Sequence, residues 1–144
     1  MAVPAANEEA MTDITQRQAE RVLKAALAKA RDEGFAMSIA IVDRGAHLKA
    51  FIRMDGCRLG PVDVAQRKAR TAMLFETDTG SFGERAKAGG PIQSLELSNG
   101  GLSLLKGGLP LRNRRGDIIG AIGVSGSSGE NDLAVAEAGA AVLA

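Results

Sequence analysis

The chain has 144 residues, a length typical of one domain and sufficient to bury a hydrophobic core. Its 18 Lys and Arg nearly balance its 17 Asp and Glu, so no basic excess attracts nucleic acid or an anionic membrane. Four Phe are the only aromatic residues, which leaves little surface for stacking bases. The composition therefore favours a small soluble domain that binds neither nucleic acid nor membranes.

Cysteine usage and the N-terminal residues indicate the cellular compartment. Cys57 is the only cysteine, which excludes an internal disulfide and a zinc site built on cysteines. No apolar run is long enough to span a bilayer, and residues 1–13 lack the pattern of a secretory signal. We therefore expect a cytoplasmic protein in which residues 1–13 are a flexible lead-in and residues 14–144 form one domain.

The first half of the chain predicts a helix and a hairpin. Thr15 and Gln18 match a capping box at the start of an amphipathic helix, which Gly34 ends. Apolar, β-branched residues then predict two strands, over residues 35–42 and 47–54. The turn between them contains Gly45, which we expect to adopt a positive φ.

The second half predicts two more helices around an irregular region and a second hairpin. Helical spacing with Pro61 in the first turn predicts a helix that ends near Phe75. A glycine-rich, polar region follows, with one short helix, and loop regions of this length are usually functional. We predict strand material at residues 102–105, 108–112 and 118–125, and a final helix at residues 130–143. This order fits an antiparallel sheet with helices on both faces.

The glycine-rich loop after the last strand is the first candidate site. Its Gly-Val-Ser-Gly-Ser run lacks the second glycine of a nucleophile elbow, and no Lys follows it as in a phosphate-binding P-loop. Ser127 and Glu130 match a capping box for the last helix, which explains both residues structurally. Ser125, Gly126 and Asp132 remain as candidate ligand contacts.

Three charged residues are further candidates. Arg53 and Asp55 lie two positions apart, either as a surface ion pair or as an Arg that binds a ligand carboxylate with Asp55 orienting it. Lys68 lies on an alanine-rich helix face. Its side chain either extends along that face to solvent or enters a pocket as a charge partner or acid–base group.

His47 is the only imidazole in the chain and lies beside a turn. One His cannot form a histidine-rich metal site, and we expect no metal site. Reversible haem binding needs only one axial ligand, for which His47 is our candidate, with Met54 and Cys57 also possible in principle.

Five motifs in order resemble one known family, from about residue 14 to the C-terminus. They are Val-Asp-Arg-Gly-Ala-His-Leu at 42–48, Arg-Met-Asp-Gly at 53–56, Ala-x-x-Lys-Ala-x-Thr-Ala at 65–72, Gly-Gly-Leu-Pro-Leu at 107–111, and Gly-Ala-Ile-Gly-Val-Ser-Gly at 120–126 with Asn131-Asp132. Together they resemble the GlcG/HbpS family, which includes the carboxy-terminal domain of PduO-type proteins. Ala46 stands where many members have glycine.

The resemblance implies an α+β fold, namely a profilin-like three-layer α-β-α arrangement with a five-stranded antiparallel sheet, usually in homo-oligomers. Some members of the family bind or degrade haem, and others belong to catabolic operons. Haem ligands differ among the haem-binding members, so the resemblance assigns no axial ligand.

Our first hypothesis is therefore a small-molecule-binding protein, with haem or another tetrapyrrole as the leading ligand. Its pocket would be built from Arg53, Asp55, Lys68, Gly107, Gly108, Pro110, Ser125, Gly126 and Asp132.

The second hypothesis is an isomerase, tautomerase or lyase that acts on a small carboxylated catabolite. Arg53 would hold the carboxylate, Lys68 or Asp55 would move the proton, and the amides of Ser125 and Gly126 would stabilise an enolate-like oxygen. The third hypothesis is an interaction module whose oligomer is the function.

Overall fold

The computed structural model describes residues 12–144, so residues 1–11 of the predicted lead-in lie outside the described part. Four helices and four strands make up the fold: α1 (Gln16–Asp32), β1 (Ser38–Asp43), β2 (Leu48–Arg53), α2 (Gly60–Phe75), α3 (Thr79–Ala86), β3 (Gly108–Arg112), β4 (Ile118–Ser125) and α4 (Gly129–Ala140). Single 3₁₀ turns cover Leu95–Leu97 and Ala141–Leu143. Within residues 12–144, no helix has the length and apolar character needed to cross a bilayer.

Helix α1 begins as its sequence predicts. The Thr15 hydroxyl accepts a hydrogen bond from the Gln18 amide at 3.1 Å, and the Gln18 side chain accepts one from the Thr15 amide at 2.9 Å. The capping box is therefore confirmed. Gly34 has a φ of +75° just beyond the helix, a conformation that glycine adopts without steric cost.

The sheet has four antiparallel strands in the order β2-β1-β4-β3, not the five that the family resemblance implied. Residues 102–105, which we predicted as strand material, form no strand. Side-chain hydroxyls bind the backbone groups that would otherwise pair with another strand. The Thr71 hydroxyl accepts from the Ser103 amide. The Thr79 hydroxyl donates to the Leu105 carbonyl and accepts from the Gly108 amide. These bonds satisfy the backbone outside a ladder, so the segment runs past the sheet without joining it.

Hydrophobic cores lie on both faces of the sheet. Helices α1 and α4 cover one face, where the fully buried residues include Ile39, Ile41, Ile122 and Val124. Helix α2 covers the other face through Ala65, Ala69 and Ala72. A Cβ added at Gly123 would lie 2.0 Å from the Ala65 carbonyl oxygen, so only glycine permits this approach of β4 to α2.

The β1–β2 turn differs from the prediction in one detail. Ala46, not Gly45, has the positive φ, at +64°. The Asp43 carboxylate accepts hydrogen bonds from the amides of Gly45 at 2.9 Å and His47 at 3.0 Å. These bonds hold the turn and offset the cost of a left-handed Ala, which is about 1–2 kcal/mol.

Candidate functional site

Two residues predicted from separate motifs form a buried ion pair. Nζ of Lys68, in the middle of α2, lies 2.9 Å from Oδ2 of Asp132 in the first turn of α4. The same ammonium donates to the carbonyl of Val124 at 2.8 Å. The two side chains are only 2% and 4% exposed. The close packing of α2 on β4 thus brings a lysine and an aspartate together that are 64 residues apart in the chain.

Burial and pairing act in opposite directions on this pair. Burial lowers the pKa of Lys68, although the hydrogen bond and charge of Asp132 partly offset this effect. Burial raises the pKa of Asp132, although Lys68 and the Ser127 amide favour its charged form. Substituting either side chain alone leaves the other as a buried charge without its partner, which is destabilising.

Gly107 and Gly108 close the pair on one side. A Cβ at Gly107, whose φ is +123°, would lie 2.6 Å from the Val124 carbonyl oxygen and 3.0 Å from Nζ of Lys68. A Cβ at Gly108 would lie 2.6 Å from the Lys68 carbonyl oxygen. These glycines are therefore contacts of the buried pair, because only their lack of a side chain lets the turn approach it.

Asp132 also orders the loop before α4. Its Oδ1 accepts a hydrogen bond from the Ser127 amide at 3.0 Å. The N-cap of α4 is Ser128, whose hydroxyl accepts from the Asn131 amide at 3.2 Å. The predicted capping box of Ser127 and Glu130 is therefore wrong by one residue. The Ser127 amide donates to Asp132, and the N-cap position falls one residue later, on Ser128.

A cavity of about 440 Å³ opens beside this loop. Its lining residues are Gly34, Phe35, Ala36, Gly56, Arg58, Gly126, Ser127 and Ser128. Gly126, a predicted ligand contact, is one of these lining residues. The basic residue of the cavity is Arg58, whereas sequence reasoning selected Arg53. No sequence signal separates the two arginines, because the loop between β2 and α2 alone decides which one faces the cavity.

The remaining predicted pocket residues lie elsewhere. Arg53 and Asp55 are exposed, and within the described part of the chain neither side chain forms a hydrogen bond or ion pair. Pro110 lies in edge strand β3 and lines a different cavity, between β3 and α4. Ser125 is buried in β4 opposite Ser38 of β1. The structure therefore places Lys68 and Asp132 next to the Gly107–Gly108 turn and the loop that contains Gly126. Arg53 and Asp55 lie outside this group.

The candidate haem ligands differ in their surroundings. The His47 side chain is 81% exposed, and its Nδ1 lies 3.3 Å from Oδ1 of Asp43. Sδ of Met54 accepts a hydrogen bond from the Met37 amide at 3.4 Å, and Sγ of Cys57 lies 3.4 Å from the Ser38 hydroxyl. Across residues 12–144, no three His, Cys, Asp or Glu side chains group as a metal site.

The comparison with protein families decides where the chain belongs. A family model described as haem degrading protein HbpS-like matches residues 14–141. The chain belongs to the HbpS-like family. It is 38% identical to protein GlcG of Escherichia coli K12 over 112 residues, which cover 78% of this chain and 81% of GlcG.

Two solved structures of the family share this fold. A double mutant of HbpS from Streptomyces reticuli is 34% identical, covers 100% of this chain and 97% of its own, and has a TM-score of 0.82. The PduOC:heme complex is 27% identical, covers 90% of this chain and 94% of its own, and has a TM-score of 0.84. The predicted relationship to the GlcG/HbpS family is confirmed.

Proposed function

We propose that this protein binds haem or a closely related tetrapyrrole. The observation that carries the proposal is its likeness, at a TM-score of 0.84 over 90% of the chain, to a domain solved as a heme complex. The description of the matching family as haem degrading supports the same ligand. A binding role also agrees with a fold whose charged pair is buried and hydrogen-bonded rather than open to a substrate.

His47 fits the role of axial ligand. Its Nδ1 lies 3.3 Å from the Asp43 carboxylate, and its Nε2 is left available for the iron. Met54 and Cys57 instead direct their sulfur atoms at groups of the fold itself. Bound haem supplies an iron centre that takes an imidazole as axial ligand. Lys49, two residues further on, is exposed in β2 and provides a cation for a propionate group.

The exposure of His47 implies that a single chain covers only one side of a haem bound there. A second copy of the chain is the simplest cover for the other side, because the family resemblance implies homo-oligomers. We therefore expect haem binding to depend on association of the chain with itself.

Haem titration tests the proposal directly. With no Trp or Tyr, the protein absorbs little near 280 nm, so the spectrum of a bound haem is easily followed. We expect a saturable Soret band with the wild-type chain. Replacing His47 by Ala should abolish or shift the band, whereas Cys57→Ser should leave it unchanged.

The possible results separate the ligand from its axial residue. An unsaturable, linear rise in absorbance would refute haem binding. A shift with Cys57→Ser but none with His47→Ala would retain haem and reject His47 as its ligand. Circular dichroism of both variants checks that each keeps the wild-type fold.

The enzymatic alternative remains a prediction. A substrate could reach Lys68 only after the surrounding turn opened, since Gly107, Val124 and Asp132 enclose the ammonium. Asp55, the other predicted proton carrier, is exposed and belongs to the loop after β2.

A further inference from the structure

Glu96 lies in the 3₁₀ turn Leu95–Leu97, between α3 and β3. Its Oε2 atom is buried and has no hydrogen-bond partner, and it is the only buried side-chain nitrogen or oxygen in residues 12–144 of which this is true. A buried carboxylate oxygen without a donor is costly, because it has lost its water and gained nothing in return. A hydrogen-bond donor placed at this oxygen would therefore be stabilising.

Glu96 lines a cavity of about 390 Å³, here called the Glu96 cavity. The other lining residues are Gly83, Ala86, Lys87, Leu102, Ser103, Leu104 and Leu105. Ser103 is only 9% exposed, and its hydroxyl forms no hydrogen bond with any described residue. The cavity therefore combines two unpartnered polar side chains with a largely aliphatic wall.

Two arginines that contact residues 99–101, just after Glu96 in the chain, bind other groups. Arg67 pairs with Asp63 at 2.6 Å and donates to the carbonyls of Gly100 and Gly101. Arg70 donates to the Asn99 carbonyl at 3.2 Å.

Lys87 lies on the cavity rim, but its ammonium is exposed and 3.6 Å from the carboxylate of Glu84. Neither the two arginines nor Lys87 donates to Glu96, so a donor from another molecule can bind its carboxylate.

We propose that the Glu96 cavity binds a small aliphatic primary amine. The protonated amine donates to Oε2 of Glu96 and to the Ser103 hydroxyl, and its alkyl chain packs on Leu102 and Leu104. An ammonium group has three donors and no acceptor, which matches a carboxylate and a hydroxyl oxygen. Hydrogen bonds between charged partners are also about twice as strong as neutral ones. The site contains neither His47 nor Lys68, so it is independent of haem binding.

Isothermal titration with n-butylammonium chloride at neutral pH tests this proposal, with 1-butanol as the neutral probe of similar length. We expect saturable binding of the amine at one site per chain and much weaker binding of 1-butanol. Glu96→Gln should weaken amine binding at least about tenfold, equivalent to about 1.4 kcal/mol. Glu33→Gln, which changes an exposed carboxylate on α1 outside the cavity wall, should change the affinity less than about twofold.

Glu96→Gln should also fold normally, because it replaces the carboxylate by an amide of nearly the same shape, and the buried Oε2 has no partner to lose. Its melting temperature without ligand should equal or exceed that of the wild type. The absence of saturable amine binding to the wild type, or equal binding by the Glu96→Gln variant, would overturn the proposal.

Two further results would overturn the proposal by identifying another donor. In the first, Lys87→Met destabilises the wild type but not the Glu96→Gln variant, which makes Lys87 an internal donor. In the second, Glu96→Gln alone changes the oligomeric mass, which places the donor on another copy of the chain.

Discussion

Replacing Lys68 by Met removes the cation that pairs with Asp132 and leaves its buried carboxylate, among the residues 12–144, with the Ser127 amide as hydrogen-bond donor. Loss of one member of a buried ion pair costs about 3–5 kcal/mol. A chain of this size loses roughly 2–4 °C of melting temperature per kcal/mol, so we expect a decrease of roughly 6–20 °C. The free energy of unfolding, measured by urea denaturation, gives the value directly.

The double variant Lys68→Met/Asp132→Asn provides the decisive comparison. It removes both charges, while the side-chain amide introduced at position 132 keeps an oxygen that can accept from the Ser127 amide. Because the cost of Lys68→Met comes mainly from the unpaired carboxylate, we expect the double variant to be more stable than the single one.

Lys29→Met is the matched control. Lys29 pairs with Glu33 at the same 2.9 Å, but on the exposed surface of α1, and its loss should leave the melting temperature unchanged. A Lys68→Met variant no less stable than the Lys29→Met control would refute the argument. A double variant less stable than Lys68→Met would refute it as well.

Two further predictions concern the same region. Because the pKa of Asp132 is raised, the folded chain protonates this carboxylate at a higher pH than the unfolded chain does. Because the pKa of Lys68 is lowered, the folded chain deprotonates this ammonium at a lower pH than the unfolded chain does. The unfolding free energy of the wild type, relative to Lys68→Met/Asp132→Asn, should therefore increase both as pH falls toward 3.8 and as it rises toward 10.5; a flat difference would contradict these shifts. Gly107→Ala combines backbone strain with overlap at the Val124 carbonyl and should cost about 2–5 kcal/mol. Gly116→Ala, with a φ of +86° and open space around it, should cost only about 1–2 kcal/mol in denaturant melts, and equal costs would show that the overlap is relieved.

Local patterns predicted the elements well where one face of an element is buried. Ala50 and Ile52 of β2 pack in one core and Phe51 packs in the other, which is the alternation that an extended strand imposes. The same patterns wrongly predicted a strand at residues 102–105. An apolar run looks like a strand, but it joins a sheet only if its backbone pairs there.

By itself, the sequence determined the family, the antiparallel character of the sheet, the start of α1 and the two glycine segments near the candidate site. Those features follow from short spacings, which govern the backbone over one or two turns. Only the tertiary structure decided the number of strands, the ion pair of Lys68 with Asp132, the choice of Arg58 over Arg53 at the cavity and the unpartnered oxygen of Glu96. Each depends on which distant segments meet and which donors remain free once they have met, and no local pattern encodes that outcome.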